Sequence, residues 1–138
     1  MHPTELLEGA LTRSIIGAFY EVYNVLDFGF RERIYTNALE KELRARGHTV
    51  EREVRVVVCY KGEPIAVQVI DMVVDGKVVV EVKSTPNLHP SAARQLENYL
   101  RATDLKVGLL LHFGLEAKFQ RTVDTKRRKR KPTTKNNS

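Results

Sequence analysis

Apolar residues follow a helical spacing over the first third of the chain. They recur every three or four positions from residue 4 to about residue 26, and again from about residue 30 to residue 46. Thr4 can supply a side-chain cap for the first helix, and Gly47 the stop that ends the second. The chain is therefore predicted to begin with two amphipathic helices.

The pattern then changes from helical periodicity to runs of β-branched residues. Residues 54–59 form one such run, residues 65–74 a second and residues 77–84 a third. Turn signals rich in glycine separate them, at residues 61–64 and at residues 75–76. Three antiparallel strands in a meander are the simplest structure that fits these signals.

The last predicted elements are a helix over residues 91–103 and a strand over residues 106–113. The run Val107-Gly108-Leu109-Leu110-Leu111 is apolar throughout, which is typical of a strand covered on both faces. Because a crossover helix lets this strand lie parallel to its neighbour, we expect a mixed sheet. The predicted class is α/β, with four strands in the order ααβββαβ and one domain over residues 1–124.

Charge divides the chain into a near-neutral body and a basic tail over residues 125–138. The chain has 23 Lys and Arg against 17 Asp and Glu, a net charge of +6, yet no acidic residue lies in the tail. The tail is predicted to be disordered. Its cationic run comprises Lys126, Arg127, Arg128, Lys129, Arg130 and Lys131. Because neutralised phosphates release counterions, we expect this run to tether nucleic acid, with a merely solubilising role as the alternative.

Several classes of protein are excluded by composition. No apolar stretch approaches the roughly 20 residues of a membrane span, and the first residues lack a signal-peptide pattern. The single cysteine, Cys59, excludes an internal disulfide and a cysteine-based zinc site. His48, His89 and His112 have no metal-ligand spacing, so we expect them at the surface or at strand ends. We expect a soluble cytoplasmic protein without a membrane partner.

Charged residues interrupt the second and third predicted strands, where burial is expected. Glu81 and Lys83 are two positions apart and share one face of a strand, whereas the valines between and before them take the other. A buried carboxylate costs several kcal/mol unless it is paired or bound to a metal. If Asp71 on the preceding strand converges on Glu81, the two suit a hard cation such as Mg²⁺.

The hairpin turn between these strands decides whether Asp71 reaches the face of Glu81. A two-residue loop would turn Asp71 to the opposite face. A three-residue loop over residues 74–76, with Gly76 left-handed in a bulge, would pair Asp71 with Val79 and bring both carboxylates to one face. We predict the bulged turn, or a bulge nearer to Asp71.

Two motifs resemble a known family. Asp71, nine intervening residues and Glu81-Val82-Lys83 resemble the D...ExK signature of the PD-(D/E)xK nuclease superfamily, whose restriction-endonuclease-like core has the predicted element order. Gly29-Phe30-Arg31-Glu32-Arg33-Ile34-Tyr35 is similar to the GxxExxY pattern that names one bacterial and archaeal family within it. Gln95-Leu96-Glu97-Asn98-Tyr99-Leu100 agrees with a further segment of that family.

The resemblance implies roles for five residues, Glu32, Asp71, Glu81, Lys83 and Gln95. Asp71 and Glu81 would be metal ligands, and Lys83 the catalytic lysine. Glu32 would support the metal or its water from a helix, and Gln95 would face the site from a second helix. Tyr99, one turn beyond Gln95, is expected to contact nucleic acid together with the basic tail. The implied cofactor is Mg²⁺, with Mn²⁺ as a substitute.

The implied function is hydrolysis of phosphodiester bonds by a metal-activated water, in DNA rather than RNA. The alternative is a nucleic-acid-binding or regulatory module that keeps the fold without turnover, which the near-neutral body favours. Ile70 departs from the arginine, alanine or proline that often precedes the first aspartate of the motif, but it removes no ligand. A homodimer is open by analogy with enzymes that cut both strands.

Overall fold

The computed structural model describes residues 7–124. The predicted basic tail and the predicted cap Thr4 lie outside the described residues. The three helices are α1 (Gly9–Leu26), α2 (Glu32–Ala45) and α3 (Ser91–Arg101). The five strands are β1 (Val50–Tyr60), β2 (Glu63–Val74), β3 (Val78–Lys83), β4 (Val107–Phe113) and β5 (Ala117–Val123). No helix within the described range combines the length and hydropathy of a membrane span.

The strands form one mixed sheet in the order β1-β2-β3-β4-β5. The first three strands are an antiparallel meander, as predicted. Because α3 crosses over between them, β3 and β4 pair in parallel, and β5 returns antiparallel to β4. The predicted α/β class and restriction-endonuclease-like order are confirmed, but the sheet has five strands rather than four.

The unpredicted strand β5 lies at an edge of the sheet. Apolar residues alternate with polar ones along it, at Ala117, Phe119 and Val123, yet no residue of the strand is fully buried. All seven of its residues pair with β4. Backbone pairing with the otherwise open edge of β4 therefore stabilises β5 more than its own burial does, and such a strand leaves a weak sequence signal.

Helices cover both faces of the sheet. On one face, α1 and α2 bury Phe19, Tyr35 and Leu39 against the sheet, and on the other α3 buries Leu96 and Leu100. Strand β4 lies between the two layers and is buried along its whole length, which confirms the strand predicted to be covered on both sides. Alternate residues of β3 thus face different helices, and the side chain of Glu81 faces α3 together with Val79.

The hairpin between β2 and β3 has the predicted loop length in a different register. Its three-residue loop covers residues 75–77 instead of 74–76. The predicted pairing of Asp71 with Val79 is therefore wrong, because Val79 pairs with Val73. The observed register differs from the predicted one by two residues of β3. Because side chains alternate between the faces with a period of two, this shift leaves Asp71 on the same face of the sheet as Glu81.

Contacts with the link between α2 and β1 fix this turn. Asp75 and Gly76 both have positive φ, +54° and +64°, so Gly76 is left-handed as predicted. The Asp75 carboxylate accepts a 2.8 Å hydrogen bond from the backbone N–H of Thr49 and lies 2.8 Å from Nδ1 of His48. These contacts hold Asp75 in a conformation that glycine adopts more easily, and they start the loop one residue later than expected.

Two glycines differ in what an added Cβ would meet, so their substitution by alanine is predicted to change stability differently. A Cβ on Gly108 would lie 2.8 Å from Cδ1 of the buried Leu96, so Gly108→Ala should lower the free energy of unfolding by about 1–3 kcal/mol. A Cβ on Gly17 would meet only the mobile end of Arg46, so Gly17→Ala should be neutral or should stabilise α1 by up to about 1 kcal/mol. Urea denaturation measures both, and equal effects would contradict the described packing.

Candidate active site

Strands β2 and β3 separate at the level of Asp71 and Glu81. Their backbones pair as far as Met72 and Val80. Beyond that point the backbone N–H of Asp71 donates to Oε1 of Glu81 at 2.8 Å, and the backbone N–H of Val82 donates to Oδ2 of Asp71 at 2.7 Å. Each carboxylate is thus held by the backbone of the opposite strand, and the structure brings these two predicted residues together.

One oxygen of each carboxylate remains available. Within residues 7–124, Oδ1 of Asp71 and Oε2 of Glu81 accept no hydrogen bond from the protein, and neither is among the fully enclosed atoms without a partner. Glu81 as a residue is only 5% exposed and Asp71 is half-buried. Both of these oxygens therefore keep some contact with solvent, although the strands that carry them are largely buried.

Burial and mutual repulsion disfavour charge on this pair. Burial raises the pKa of Glu81 to about 8, and the negative charge of Asp71 contributes. Burial also raises the pKa of Asp71, while the hydrogen bond from Val82 and the positive charge of Lys83 oppose that rise. A divalent cation between the two would reverse this balance and keep both groups ionised.

Lys83 follows Glu81 on the same face of β3. Its positive charge favours the ionised forms of Asp71 and Glu81. No carboxylate of the described chain, however, lies within the 4.0 Å of an ion pair from its ammonium group. Lys83 is therefore close enough to act on the acidic pair electrostatically and remains free to bind a phosphate or a water.

Glu32 lies in the first turn of α2, at the edge of the same site. The backbone N–H of Ser84, the residue after Lys83, favours the ionised form of the Glu32 carboxylate and so acts to lower its pKa. Partial desolvation and the negative charge of Asp71 raise the pKa of Glu32, and the charge of Lys83 opposes them. The structure thus places Glu32 beside the acidic pair, within electrostatic reach but on an exposed helix end.

The other fixed positions of the GxxExxY segment shape the loop before α2. Gly29 has φ +111°, a conformation that favours glycine. The hydroxyl of Tyr35 donates to the carbonyl of Asp27 and accepts a 3.2 Å hydrogen bond from the backbone N–H of Phe30. Ser84 ties the same loop to the end of β3, because its hydroxyl donates to the carbonyl of Phe30. The motif therefore anchors Glu32 to the strand that carries Lys83.

The two residues predicted on α3 have different surroundings. Tyr99 is buried, and burial together with the negative charges of Glu81 and Asp71 raises its pKa to about 12, so it borders the acidic pair. Gln95 is exposed and lines a groove of about 960 Å³ between α3 and β1. Within the described chain it makes no hydrogen bond to Asp71 or Glu81, so the structure does not bring it into the cluster.

His112 is a residue that sequence reasoning missed. It lies at the end of β4, as expected, but it is buried rather than at the surface, and it pairs in register with Lys83. Its Nε2 atom lies 2.7 Å from the carbonyl of Thr85, and its Nδ1 atom is enclosed without a partner in residues 7–124. A polar side chain in the otherwise apolar run of β4 was the sequence signal that could have singled out His112. His112 positions the chain that leaves β3.

The donor set fits a cation that needs few protein ligands. Within the described range, no group of three or more His, Cys, Asp and Glu side chains is arranged to hold a metal ion, so Glu32 does not complete a triad with Asp71 and Glu81. Mg²⁺ is commonly held by one or two carboxylates and completes its shell with waters and substrate phosphate. Asp71 and Glu81 each keep one free carboxylate oxygen on the same face of the sheet, which fits that requirement.

The five-stranded mixed sheet and the acidic pair at the divergence of β2 and β3 define an α/β protein with a restriction-endonuclease-like core. A sequence model described as the PD-(D/E)XK nuclease superfamily matches residues 9–126. The chain belongs to this superfamily, as the D...ExK motif indicated. No curated protein sequence is significantly similar to the chain.

One solved structure resembles the chain, the "Crystal structure of SSO0001". The TM-score is 0.53 and the sequence identity is 17%, with 85% of this chain and 59% of that chain covered. At this identity the likeness supports the fold alone. The present chain spans about three fifths of the length of the SSO0001 chain.

The raised pKa of Glu81 predicts how the stability of the metal-free protein depends on pH. The folded state binds the Glu81 proton more tightly than the unfolded state does between a pKa of 4.5 and one of about 8. The free energy of unfolding should therefore fall as pH rises through this window. Glu81→Gln keeps the acceptor for the N–H of Asp71 but cannot ionise, so it should be more stable than wild type by about 1–3 kcal/mol above pH 8.

Urea denaturation in EDTA at several pH values measures this difference, which should vanish below about pH 4.5. Glu63→Gln, at an exposed position, is the matched control and should follow wild type at every pH. A difference between Glu81→Gln and wild type that does not change with pH would contradict the described burial of Glu81.

Proposed function

We propose that this protein is a divalent-metal-dependent nuclease of the GxxExxY family that hydrolyses phosphodiester bonds in DNA. The acidic pair carries the proposal, because two carboxylates are locked to the backbone through one oxygen each and leave the other oxygen of each free. Lys83 stands beside them without an ion pair in residues 7–124. Burial of so much negative charge in a core strand is otherwise unfavourable. A cytoplasmic location and a homodimer stay predictions.

Asp71 Oδ1 and Glu81 Oε2 are the atoms that would hold Mg²⁺, or Mn²⁺ in its place. The bound ion would supply Lewis acidity and lower the pKa of a water to make it a nucleophile. Hydrolysis forms a bond from the water oxygen to phosphorus and breaks the bond from phosphorus to the leaving oxygen, which takes up a proton. The protein's own groups must orient the phosphate and the water for this displacement.

Lys83 and Glu32 have complementary parts in that task. The unpaired ammonium group of Lys83 offsets the negative charge that develops on the phosphate oxygens. The carboxylate of Glu32, near the backbone of Ser84 at the edge of the site, would accept a hydrogen bond from a water there. Tyr99 lines the groove beside α3 within electrostatic reach of the acidic pair, and there it would contact a bound strand.

We assign Gln95 to substrate binding instead of to the chemical step, because it lines the groove between α3 and β1. Arg94, Asn98 and Arg101 line the same groove and add positive charge and amide donors. The predicted polyanion tether, residues 125–138, would supply sequence-independent affinity for the phosphate backbone.

Variants of the acidic pair should separate catalysis from folding. Asp71→Asn and Glu81→Gln keep an acceptor for the backbone N–H groups of the opposite strand, yet each removes a charge that holds the cation. Each should lower the rate of cleavage in Mg²⁺ by at least about 100-fold, as should Lys83→Ala. EDTA should abolish cleavage. Asp104→Asn and Glu63→Gln, both exposed, are the matched controls and should cut like wild type.

Cleavage of labelled linear, nicked, branched and single-stranded DNA is the measurement, with circular dichroism to show that each variant is folded. Retained cutting by both Asp71→Asn and Glu81→Gln would contradict the proposed site. Metal-independent, salt-sensitive binding that is lost on truncation after Asp124, with no scission in any divalent ion, would identify the non-catalytic module instead.

A further inference from the structure

A cavity lined by exposed aromatic side chains borders the candidate active site. Its volume is about 280 Å³. Its walls include Phe28, Phe30, Ser84, Thr85, Phe113 and Leu115. Phe28 is 51% exposed, Phe30 45% and Leu115 64%, although large apolar side chains are normally buried in a domain of this size. Three such side chains around one opening need an explanation.

The cavity shares its backbone with the candidate active site. Ser84 and Thr85, which form one wall, follow Lys83 directly in the chain. The hydroxyl of Ser84 donates to the carbonyl of Phe30, two residues before Glu32. Consecutive Cα atoms lie about 3.8 Å apart, so a strand whose phosphate binds at Lys83 would have an adjacent base within reach of the cavity.

The aromatic wall is held in place before any ligand binds. Asp27 and Gly29 have φ values of +62° and +111°, and the side chain of Asp27 accepts a 2.8 Å hydrogen bond from the N–H of Phe28. The hydroxyl of Tyr35 bonds both ends of the loop from Asp27 to Phe30. The ring of Tyr35 also packs edge-on against Phe30, with centroids 6.0 Å apart. The exposed rings are therefore preorganised and do not belong to a loosely held loop.

We propose that this cavity binds an unpaired nucleobase next to the scissile phosphate, so that the substrate is a single-stranded nucleic acid or a single-stranded end. This inference rests on the proposed nuclease function. Aromatic rings stack on any exposed base, and in a duplex the base is already stacked and paired. The placement of the rings beside Lys83 favours a base of the substrate over an unrelated apolar ligand.

The cavity recognises the stacking face of a base and not its edge. The hydroxyl of Ser84 already donates to the carbonyl of Phe30, and that of Thr85 donates to the carbonyl of Asn87 at 2.7 Å. These hydroxyls are therefore not free to donate to base edges, which would distinguish one base from another. Binding should be independent of base identity but dependent on the presence of a base.

Binding measured in EDTA tests the subsite without cleavage. The probes are a fluorescent single-stranded oligonucleotide, the same strand as a duplex, and the same strand with abasic sites. The double variant Phe28→Ala/Phe30→Ala should bind the single strand about tenfold more weakly and the duplex with unchanged affinity. Wild type should also bind the abasic strand about tenfold more weakly than the intact single strand. On the abasic strand, the double variant should bind as tightly as wild type does.

Tyr60→Ala is the matched control, because Tyr60 is 61% exposed at the end of β1 and does not line the cavity. It should bind all three probes like wild type. Substitution of 2-aminopurine into the strand gives a second readout, since stacking on the rings should quench its fluorescence in wild type and not in the double variant. An equal loss for duplex and single strand, or wild-type affinity for the abasic strand, would overturn the proposal.

Cleavage in Mg²⁺ separates this inference from the proposed function. If wild type and the double variant cut single and double strands alike, the base subsite is wrong and the nuclease proposal stands. Another outcome is that no substrate is cut, but removal of the bases and the double variant still weaken binding non-additively. In that case the base subsite stands and the nuclease proposal fails. No measurable binding of the single strand, even at low salt, would overturn the subsite.

Discussion

The structure depends on two crossed hydrogen bonds between the backbones and carboxylates of β2 and β3. They replace backbone pairing where the strands separate, and they keep Asp71 and Glu81 in the interior with one oxygen each exposed. An ionised carboxylate in a core strand is unfavourable by several kcal/mol unless donors and a counter-charge surround it. Here the donors are backbone N–H groups, and the counter-charge comes in part from Lys83.

The remaining elements hold this point in place. Strand β4 is buried between two layers of helices and fixes β3 along its length. The loop before α2, tied by Tyr35 and Ser84, sets Glu32 at the edge of the site. From the other face, α3 brings Tyr99 within electrostatic reach of the acidic pair. Helices α2 and α3 therefore each contribute one polar side chain near the site, whereas α1 supplies apolar packing.

The local sequence pattern was enough to predict most of the fold and to place Asp71 and Glu81 on the same face of the sheet. Periodicity predicted the three helices, the meander and the buried parallel strand, and alternation placed Glu81 and Lys83 on one face. Long-range contacts explain the errors. The turn register depends on Asp75 binding His48 and Thr49, and β5 depends on the edge of β4. Gln95 lies exposed beside the stripe of Leu96, Tyr99 and Leu100 that α3 buries, and its role at the site stays a prediction.

A crystal structure of the wild-type chain soaked with Mn²⁺ tests the central claim most directly, because anomalous scattering locates the ion independently of activity. The account predicts one strong peak about 2.1 Å from both Oδ1 of Asp71 and Oε2 of Glu81, with waters in its remaining positions. A peak elsewhere, or no peak while these oxygens bond to protein groups, would contradict it.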